Sequence, residues 1–283
     1  MLRQRVITAV VLLALLLPAL FASSPLPFAL FTGVLISAAG WEWARLNGAG
    51  SMGPAVASGA LLAALCGASL LQLPSLGPAG GLWNAGLLAW IVGGTLVLRA
   101  GPAGWPKWPP LLRWALGLGL LWLAWLALAQ ARTIGINFLL SVLCVVWVAD
   151  ISAYFCGRAF GRNKLAPTIS PGKTWEGVYG GVAGVLLLAL GWIALESRLD
   201  LGSASVFKLL QQGLGWGGLL LAALLLTALS VVGDLFESLV KRAAGAKDSS
   251  ALLPGHGGVL DRVDALLPVL PAALALISLQ PLW

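Results

Sequence analysis

Apolar stretches close to the length of a bilayer span recur along almost the whole chain. Nine candidate spans can be placed, at 6–22, 28–45, 54–73, 82–98, 112–130, 134–156, 177–195, 214–236 and 263–280. About 20 mostly apolar residues are needed to cross the hydrocarbon core as a helix. Only 10% of the 283 residues are charged, against roughly 25% in soluble domains. Because helices satisfy their own backbone hydrogen bonds inside lipid, we predict an all-α, polytopic integral membrane protein of about nine transmembrane helices.

The first apolar run is open to two interpretations. Its basic start, apolar centre and small residues also fit a signal peptide. Cleavage after Ala22, however, would put the bulky Leu20 at a position before the cut where a small residue is expected. We therefore expect an uncleaved first helix.

Lysine and arginine are distributed unevenly between the loops on the two sides of these spans. With a cytoplasmic N-terminus, 14 of the 17 basic residues fall on the cytoplasmic side, and the far side keeps only Arg132, Arg198 and Lys208. This bias follows the positive-inside rule. It predicts a bacterial-type plasma (inner) membrane protein with its N-terminus cytoplasmic and its C-terminus outside. The net charge of +7 then reflects loop sidedness, and we expect no nucleic-acid partner.

Charge divides the chain into two regions. Residues 1–130 hold about five spans, and residues 131–283 hold about four spans with two polar cytoplasmic loops. The ranges 150–176 and 234–264 carry six and nine charged residues, which is 15 of the 27 in the chain. We therefore expect the chemistry in the C-terminal region.

The first polar cluster begins where an apolar helix reaches an acid. Asp150, Tyr154 and Arg158 are spaced by four residues and share one helix face. An acid inside a span is a functional candidate. An Asp–Arg ion pair that locks two helices is the structural alternative.

Four cations follow within 16 residues, beside a Ser170–Pro171 pair typical of a helix start. They are Arg158, Arg162, Lys164 and Lys173. Such a group suits phosphate binding. It equally suits anchoring to anionic lipid headgroups.

The second cluster is a polar stripe on the eighth span. At helical spacing, one face carries Asp234, Glu237, Ser238, Lys241 and Arg242. The stripe is typical of a divalent-ion site beside a phosphate chain. As an alternative, Lys241 and Arg242 could lie at the end of an interfacial helix and extend to the lipid headgroups. This alternative does not account for Asp234.

A third group of polar residues precedes the last span. Asp261 and Asp264, three apart, also fit a helix cap, and His256 is the single histidine of the chain. Without clustered Cys or His, oxygen ligands favour Mg²⁺ over zinc. Carboxylates, cations and Mg²⁺ together are typical of phosphate-ester chemistry. The residues by themselves therefore predict a membrane enzyme with a phosphate substrate at the cytoplasmic face.

The stretch "SLVKRAAGAKDSSALLPGHGGVLDRVD" (238–264) resembles the signature of the phosphatidate cytidylyltransferases, also known as CDP-diacylglycerol synthases. Every fixed position of that pattern is met. The matching residues are Ser238, Lys241, Arg242, Lys247, Asp248, Pro254, His256, Gly257, Gly258, Asp261, Arg262 and Asp264. The stretch 150–177 and the start "MLRQRVITA" are also similar to this family, whereas 45–130 resembles it only as apolar helices.

The resemblance implies conversion of CTP and phosphatidate to CDP-diacylglycerol and pyrophosphate in phospholipid biosynthesis. It also implies Mg²⁺, alone or with a second cation, a homodimer, and a polar cavity in the membrane that faces the cytoplasm. On this basis we expect the metal to be held by Asp234, Asp261 and Asp264, with Asp248 beside them.

The remaining motif residues receive roles in phosphate handling under the same hypothesis. The triphosphate and pyrophosphate would be neutralised by Lys241, Arg242, Lys247 and Arg262. Gly257 and Gly258 would allow close backbone approach to phosphate, and His256 would bond a phosphate or shuttle a proton. The lipid phosphate would meet Arg158, Arg162, Lys164 and Lys173, with further substrate contacts from Asp150, Tyr154, Ser170 and Ser238.

Two other functions are compatible with parts of the sequence. An ion- or proton-coupled transporter would use Asp150 and Asp234 inside the membrane. No inverted repeat supports it, and the acids crowd toward one side. A CDP-alcohol phosphotransferase would need the pattern D-G-x-x-A-R followed by G-x-x-x-D-x-x-x-D, which is absent.

Overall fold

The computed structural model describes residues 2–71 and 80–279, and these form a helical protein with one small hairpin. In the N-terminal half the helices are α1 (Leu2–Phe21), α2 (Leu26–Leu46), α3 (Met52–Leu70), α4 (Gly80–Leu88), α5 (Thr95–Gly104) and α6 (Pro110–Ile134). A π-helical turn, Ala89–Gly94, joins α4 to α5, and a 3₁₀ turn, Trp105–Lys107, follows α5. The C-terminal half contains α7 (Ile136–Phe160), β1 (Lys164–Ala166), β2 (Ser170–Thr174), α8 (Trp175–Glu196), α9 (Val206–Ala243), α10 (Leu260–Val263) and α11 (Leu266–Ser278).

Eight helical segments are long and apolar enough to cross a membrane, and they match the first eight predicted spans. Residues 72–73 of the third predicted span and 280 of the ninth lie outside the described residues. The eighth span is longer than predicted, because α9 continues to Ala243 and begins at Val206, with a kink at Gly215. The polytopic all-α class is confirmed.

The ninth predicted span differs from the other eight. Its helix, α11, has 13 residues, and the preceding Asp264 and Ala265 keep helical dihedral angles that connect it to α10. Nearly all of its side chains are buried, and it packs against α4, α6 and α9. Its apolar sequence therefore reflects a position inside the bundle, which sequence alone does not distinguish from contact with lipid.

The loops fall at two ends of the bundle, as the sequence grouping predicts. At one end, the hydroxyl of Thr8 donates to the carbonyl of Pro254 at 3.1 Å, so the start of α1 lies beside the 244–259 loop. At the other end, Arg132 donates to the carbonyls of Leu20 and Ala22, 2.9 and 2.7 Å away. Which end faces the cytoplasm stays a prediction.

Small residues allow the helices that carry the polar clusters to pack closely. A side chain at Gly177 of α8 would place a Cβ 2.9 Å from the Ala153 carbonyl of α7. At Gly233 of α9, a Cβ would lie 2.4 Å from the Asp264 carbonyl. The second contact sets α9 directly against the junction of α10 and α11, and thereby brings the second and third polar groups together.

The segment between α7 and α8 forms a β-hairpin, which the sequence analysis did not predict. β1 and β2 pair antiparallel, with Lys164 opposite Thr174 and Ala166 opposite Ser170. The expected Ser170–Pro171 helix start is wrong, because both residues belong to β2. Helix α8 begins at Trp175, and its cap is Thr174, whose hydroxyl accepts from the Gly177 amide at 3.2 Å.

Candidate functional site

A cavity of about 560 Å³ lies between α7, α8, α9 and the hairpin. Its volume falls in the range of small-molecule sites, roughly 300 to 1,000 Å³. Six of the predicted substrate and metal residues line it, namely Asp150, Tyr154, Arg158, Ser170, Lys173 and Asp234. The first cluster and the start of the second therefore share one site.

The α7 wall of the cavity confirms the predicted helical face. Asp150, Tyr154 and Arg158 all point into the same space. The Arg158 guanidinium donates to the Tyr154 hydroxyl at 3.1 Å. Among the described residues Asp150 forms no ion pair with an arginine, so the structural alternative is wrong. The Asp150 carboxylate is exposed to the cavity.

Across the cavity, the hairpin and α9 are joined by an ion pair. The Lys173 ammonium lies 2.7 Å from Oδ2 of Asp234, and both side chains are partly exposed. The Ser238 hydroxyl donates to Oδ1 of the same carboxylate at 3.3 Å. A cation and an acid that both face the cavity can each take a new partner when a charged ligand enters.

One turn further along α9, Lys241 lies between two carboxylates. Its Nζ is 2.5 Å from Oε2 of Glu237 and 2.5 Å from Oδ1 of Asp261. The side chains of Lys241, Glu237 and Asp261 are only 12%, 3% and 8% exposed. This triad ties the polar stripe of α9 to the segment that resembles the family signature.

Asp261 accepts more hydrogen bonds than any other predicted metal ligand. Its Oδ2 accepts from the Ser249 amide at 2.9 Å, the Ser249 hydroxyl at 2.8 Å and the Gly258 amide at 2.8 Å. Burial alone would raise the pKa of this carboxyl. The bonds from Lys241 and Gly258 outweigh burial and hold the pKa of Asp261 below its ordinary value. Oδ2 thus has three donors, whereas Oδ1 has only Lys241, so a metal ion at Oδ1 would compete with the Lys241 ammonium for this oxygen.

The Gly257–Gly258 pair makes room for the protein's own carboxylates. Gly257 has a φ of +82°, and a Cβ there would lie 2.8 Å from Oδ2 of Asp261. A Cβ on Gly258 would lie 2.0 Å from the Ser249 hydroxyl and 2.4 Å from Oε1 of Glu42. The two glycines therefore let side chains of Asp261, Ser249 and Glu42 lie close to the backbone. Their contact with phosphate stays a prediction.

Glu42, near the end of α2, was not among the predicted site residues. It is fully buried and accepts hydrogen bonds from the Ser250 hydroxyl and from the Val259 and Leu260 amides, with the Ser249 hydroxyl 3.2 Å away. The sequence held one signal, an acid inside a predicted span, which is costly in the membrane. Its partners, more than 200 residues away, could not be read from that signal.

The other predicted residues do not converge on the cavity. Arg262 donates to the His256 carbonyl at 3.0 Å through Nε. Nδ1 of His256 is buried, and no hydrogen-bond partner for it occurs among the described residues. Arg242 bonds the carbonyls of Ile169 and Ala246 at 3.4 and 3.3 Å. The exposed side chains at this end of the bundle include Arg162, Lys164, Lys247 and Asp248. Their roles toward phosphate stay predictions.

Glu176 is a second acid that the predictions did not include. Its carboxylate accepts from the Arg162 and Asn163 amides at 3.1 and 3.2 Å, and from the Asn163 side chain at 2.7 Å. These bonds fix the start of the hairpin against α8. Glu176 therefore shapes the hairpin that carries Lys173.

The donor set around the cavity fits a magnesium ion that is shared with a substrate. Within 2–71 and 80–279, no three acidic, histidine or cysteine side chains converge into a metal site of their own. Mg²⁺ is usually held by one or two carboxylates plus substrate phosphates. Asp150 and Asp234 provide two carboxylates on the cavity wall. Asp264 lies close enough to interact electrostatically with both.

Comparisons with known proteins agree with the motif. A model of the cytidylyltransferase family matches residues 3–280. A phosphatidate cytidylyltransferase of Pseudomonas aeruginosa is 45% identical over 98% of this chain and 97% of its own length. The protein of the same name from Haemophilus influenzae is 36% identical over 96% of each chain. One from Brucella melitensis is 48% identical over 51% of this chain and 47% of its own.

Proposed function

The chain belongs to the cytidylyltransferase family, and from this premise we propose that the cavity between α7, α8, α9 and the hairpin is its active site. The protein is a membrane nucleotidyltransferase of phospholipid biosynthesis. It converts CTP and phosphatidate to CDP-diacylglycerol and pyrophosphate. The transporter alternative is not supported, because the relatives that span the chain are cytidylyltransferases.

One observation carries the placement of the active site. Lys173 and Asp234 face each other across a cavity of about 560 Å³, with Asp150 and Arg158 on its α7 wall. Both substrates are phosphate esters, so their site needs cations for phosphate oxygens and carboxylates for a divalent ion. A second cavity, of about 540 Å³, is also lined by acids and cations, but none of the residues of the predicted clusters lines it.

In the proposed reaction, a phosphate oxygen of phosphatidate attacks the α-phosphorus of CTP. The new P–O bond forms the diphosphate of CDP-diacylglycerol, and the bond between the α-phosphorus and the bridging oxygen breaks to release pyrophosphate. The attacking oxygen is already anionic, so no general base is needed. The work of the protein is to position the two phosphates and to neutralise their charge.

The Lys173–Asp234 ion pair can separate when a substrate phosphate enters the cavity. Without substrate the two side chains neutralise each other at 2.7 Å. An incoming phosphate competes for the ammonium of Lys173, and this exchange frees an oxygen of Asp234. Arg158, held by Tyr154 at 3.1 Å, is placed to meet a second phosphate.

We further propose that Asp234 and Asp264 hold Mg²⁺, with Asp150 beside them. When bound, the ion would screen the negative charge of the triphosphate and of the departing pyrophosphate. Asp261 joins this set if Lys241 leaves it for a substrate phosphate. A second cation is compatible with the same acids.

The protein is integral to the membrane. We propose that it lies in a bacterial-type inner membrane with its N-terminus and active site cytoplasmic, since the basic residues cluster at the end of the bundle that carries the cavity. We also propose a homodimer, on the strength of the family resemblance.

The function is tested with purified protein, radiolabelled CTP, phosphatidate and Mg²⁺. We expect labelled CDP-diacylglycerol, which requires both phosphatidate and the metal. The matched variant Asp234→Asn keeps the side-chain size but removes the charge that pairs with Lys173, and it should form almost no product while staying folded. Absence of a labelled lipid from the unaltered protein, with uptake of solute into proteoliposomes instead, would support a transporter.

A further inference from the structure

We propose that Glu42 is a positioning residue, which holds the 248–261 segment so that Asp261 and Lys241 are in place for cytidylyl transfer. This inference rests on the proposed function. It concerns a residue outside the family-like motif, on a helix of the N-terminal half. The Glu42 carboxylate touches no part of the cavity, so it acts through other residues.

The Glu42 carboxylate is fully occupied by the segment that precedes and begins α10. Its Oε1 accepts from the Ser250 hydroxyl at 2.5 Å and from the Val259 amide at 3.0 Å. Its Oε2 accepts from the Leu260 amide at 2.8 Å, and the Ser249 hydroxyl lies 3.2 Å away. One side chain thus fixes both ends of the loop that lies between 249 and 260.

The cost of burying this acid argues for a specific purpose. Glu42 has no exposed surface, and within the described residues no cation pairs with it. A buried carboxylate is strongly unfavourable unless hydrogen bonds compensate for the water it has lost. The Ser250 hydroxyl and the Val259 and Leu260 amides compensate only when the 249–260 segment adopts this conformation. The Glu42 side chain therefore selects that conformation over others.

Two short connections link Glu42 to Asp261 and, through it, to Lys241. Leu260, held by Glu42, is the residue before Asp261. Ser249 is shared, because its hydroxyl lies 3.2 Å from Oε2 of Glu42 and 2.8 Å from Oδ2 of Asp261. The Ser249 amide donates to the same Asp261 oxygen at 2.9 Å. Asp261 in turn holds the ammonium of Lys241 at 2.5 Å.

The test compares Glu42→Gln with the unaltered enzyme. Glutamine has the same size, but one of its two terminal groups is a donor and would face hydroxyl and amide donors. The loop should shift, and a misplacement of about 1 Å can cost on the order of 100-fold in rate. We expect kcat per folded molecule to fall roughly 10- to 100-fold, with the KM for CTP changed less than about threefold.

Glu196→Gln is the matched control. Glu196 is also a carboxylate that anchors a helix start, since it accepts from the Asn137 side chain and the Ser205 amide at 2.8 Å each. It lies at the opposite end of the bundle from the cavity. We expect Glu196→Gln to lower thermal stability about as much as Glu42→Gln, but to leave kcat within about twofold.

Hydrogen exchange of the backbone amides reports directly whether the 249–260 loop keeps its conformation. In Glu42→Gln the amides of Val259 and Leu260 should exchange faster, because their acceptor has changed, and in Glu196→Gln they should not. If Glu42→Gln proves too unstable to purify, Ser250→Ala removes one donor alone, and we expect it to lower kcat roughly two- to fivefold.

Three results overturn the inference. They are a kcat for Glu42→Gln equal to that of Glu196→Gln, a lowered kcat without faster exchange at 259–260, or an unchanged kcat for Ser250→Ala where Glu42→Gln cannot be purified. If the unaltered protein makes no CDP-diacylglycerol, the proposed function fails instead. The exchange experiment needs no turnover, so the two failures can be told apart.

Discussion

Replacing Lys241 by Met removes the ammonium group that lies 2.5 Å from an oxygen of Glu237 and 2.5 Å from an oxygen of Asp261. Met retains most of the Lys stem, so charge is lost with little loss of packing. The two carboxylates, 3% and 8% exposed, are then left side by side without a cation. Removing one partner of a buried ion pair costs about 3 to 5 kcal/mol of folding free energy.

Most of this loss of folding free energy should come from burying Glu237 without a cation. Asp261 keeps three donors, from the Ser249 amide, the Ser249 hydroxyl and the Gly258 amide, whereas among the described residues no donor other than the ammonium of Lys241 reaches either oxygen of Glu237. Combining Lys241→Met with Glu237→Leu removes both the cation and this acid. An apolar replacement of a buried pair is often close to neutral, so the double variant should regain all but about 1 kcal/mol.

The measurement is thermal unfolding of the purified protein in detergent, followed by tryptophan fluorescence. At about 2 to 4 °C per kcal/mol, Lys241→Met should lower Tm by roughly 6 to 20 °C. Lys107→Met, at an exposed lysine, is the control and should change Tm very little. Both variants at 241 should be inactive, because the cation beside Asp261 is absent. The reasoning is refuted if Lys241→Met shifts Tm no more than the control, or if the double variant is no more stable than the single one.

Three further predictions concern the cavity and its support. Lys173→Ala removes the ion-pair partner of Asp234, 2.7 Å away, and with it a cation that could bind a substrate phosphate. The KM for CTP or phosphatidate should therefore rise about tenfold in steady-state kinetics. An unchanged KM for both substrates contradicts phosphate binding by Lys173. Gly258→Ala places a Cβ 2.0 Å from the Ser249 hydroxyl and should lower both Tm and kcat, whereas Gly217→Ala, with open space around it, should not. Chelation by EDTA should abolish turnover, and added Mg²⁺ should restore it. Neither treatment should change Tm by more than a few degrees. Activity that persists in EDTA would rule out the metal proposal.

The helical spans and the polar faces of α7 and α9 could be predicted from the sequence because they depend on local properties. A run of apolar residues of sufficient length determines a span. The spacing of Asp150, Tyr154 and Arg158 determines a shared face, and all three do line one cavity. The same reasoning found the stripe from Asp234 to Arg242.

Other features could not be predicted from local properties. The hairpin at 164–174 is short and polar, with no strand periodicity to detect. Helix α11 is as apolar as the spans, but its 13 residues are covered by other helices. Solvation by lipid and packing by protein select the same side chains, so composition does not separate them.

The amino-acid sequence is enough to establish the membrane class, the family-like motif and the set of charged residues available for chemistry. The tertiary structure alone decided which acid meets which cation: Lys173 reaches Asp234, Lys241 joins Glu237 to Asp261, and Glu42 binds the amide of Leu260, 218 residues away. Local spacing fixes a side chain's direction on its own helix. It does not fix the partner, because the position of a distant segment depends on how all the helices pack together.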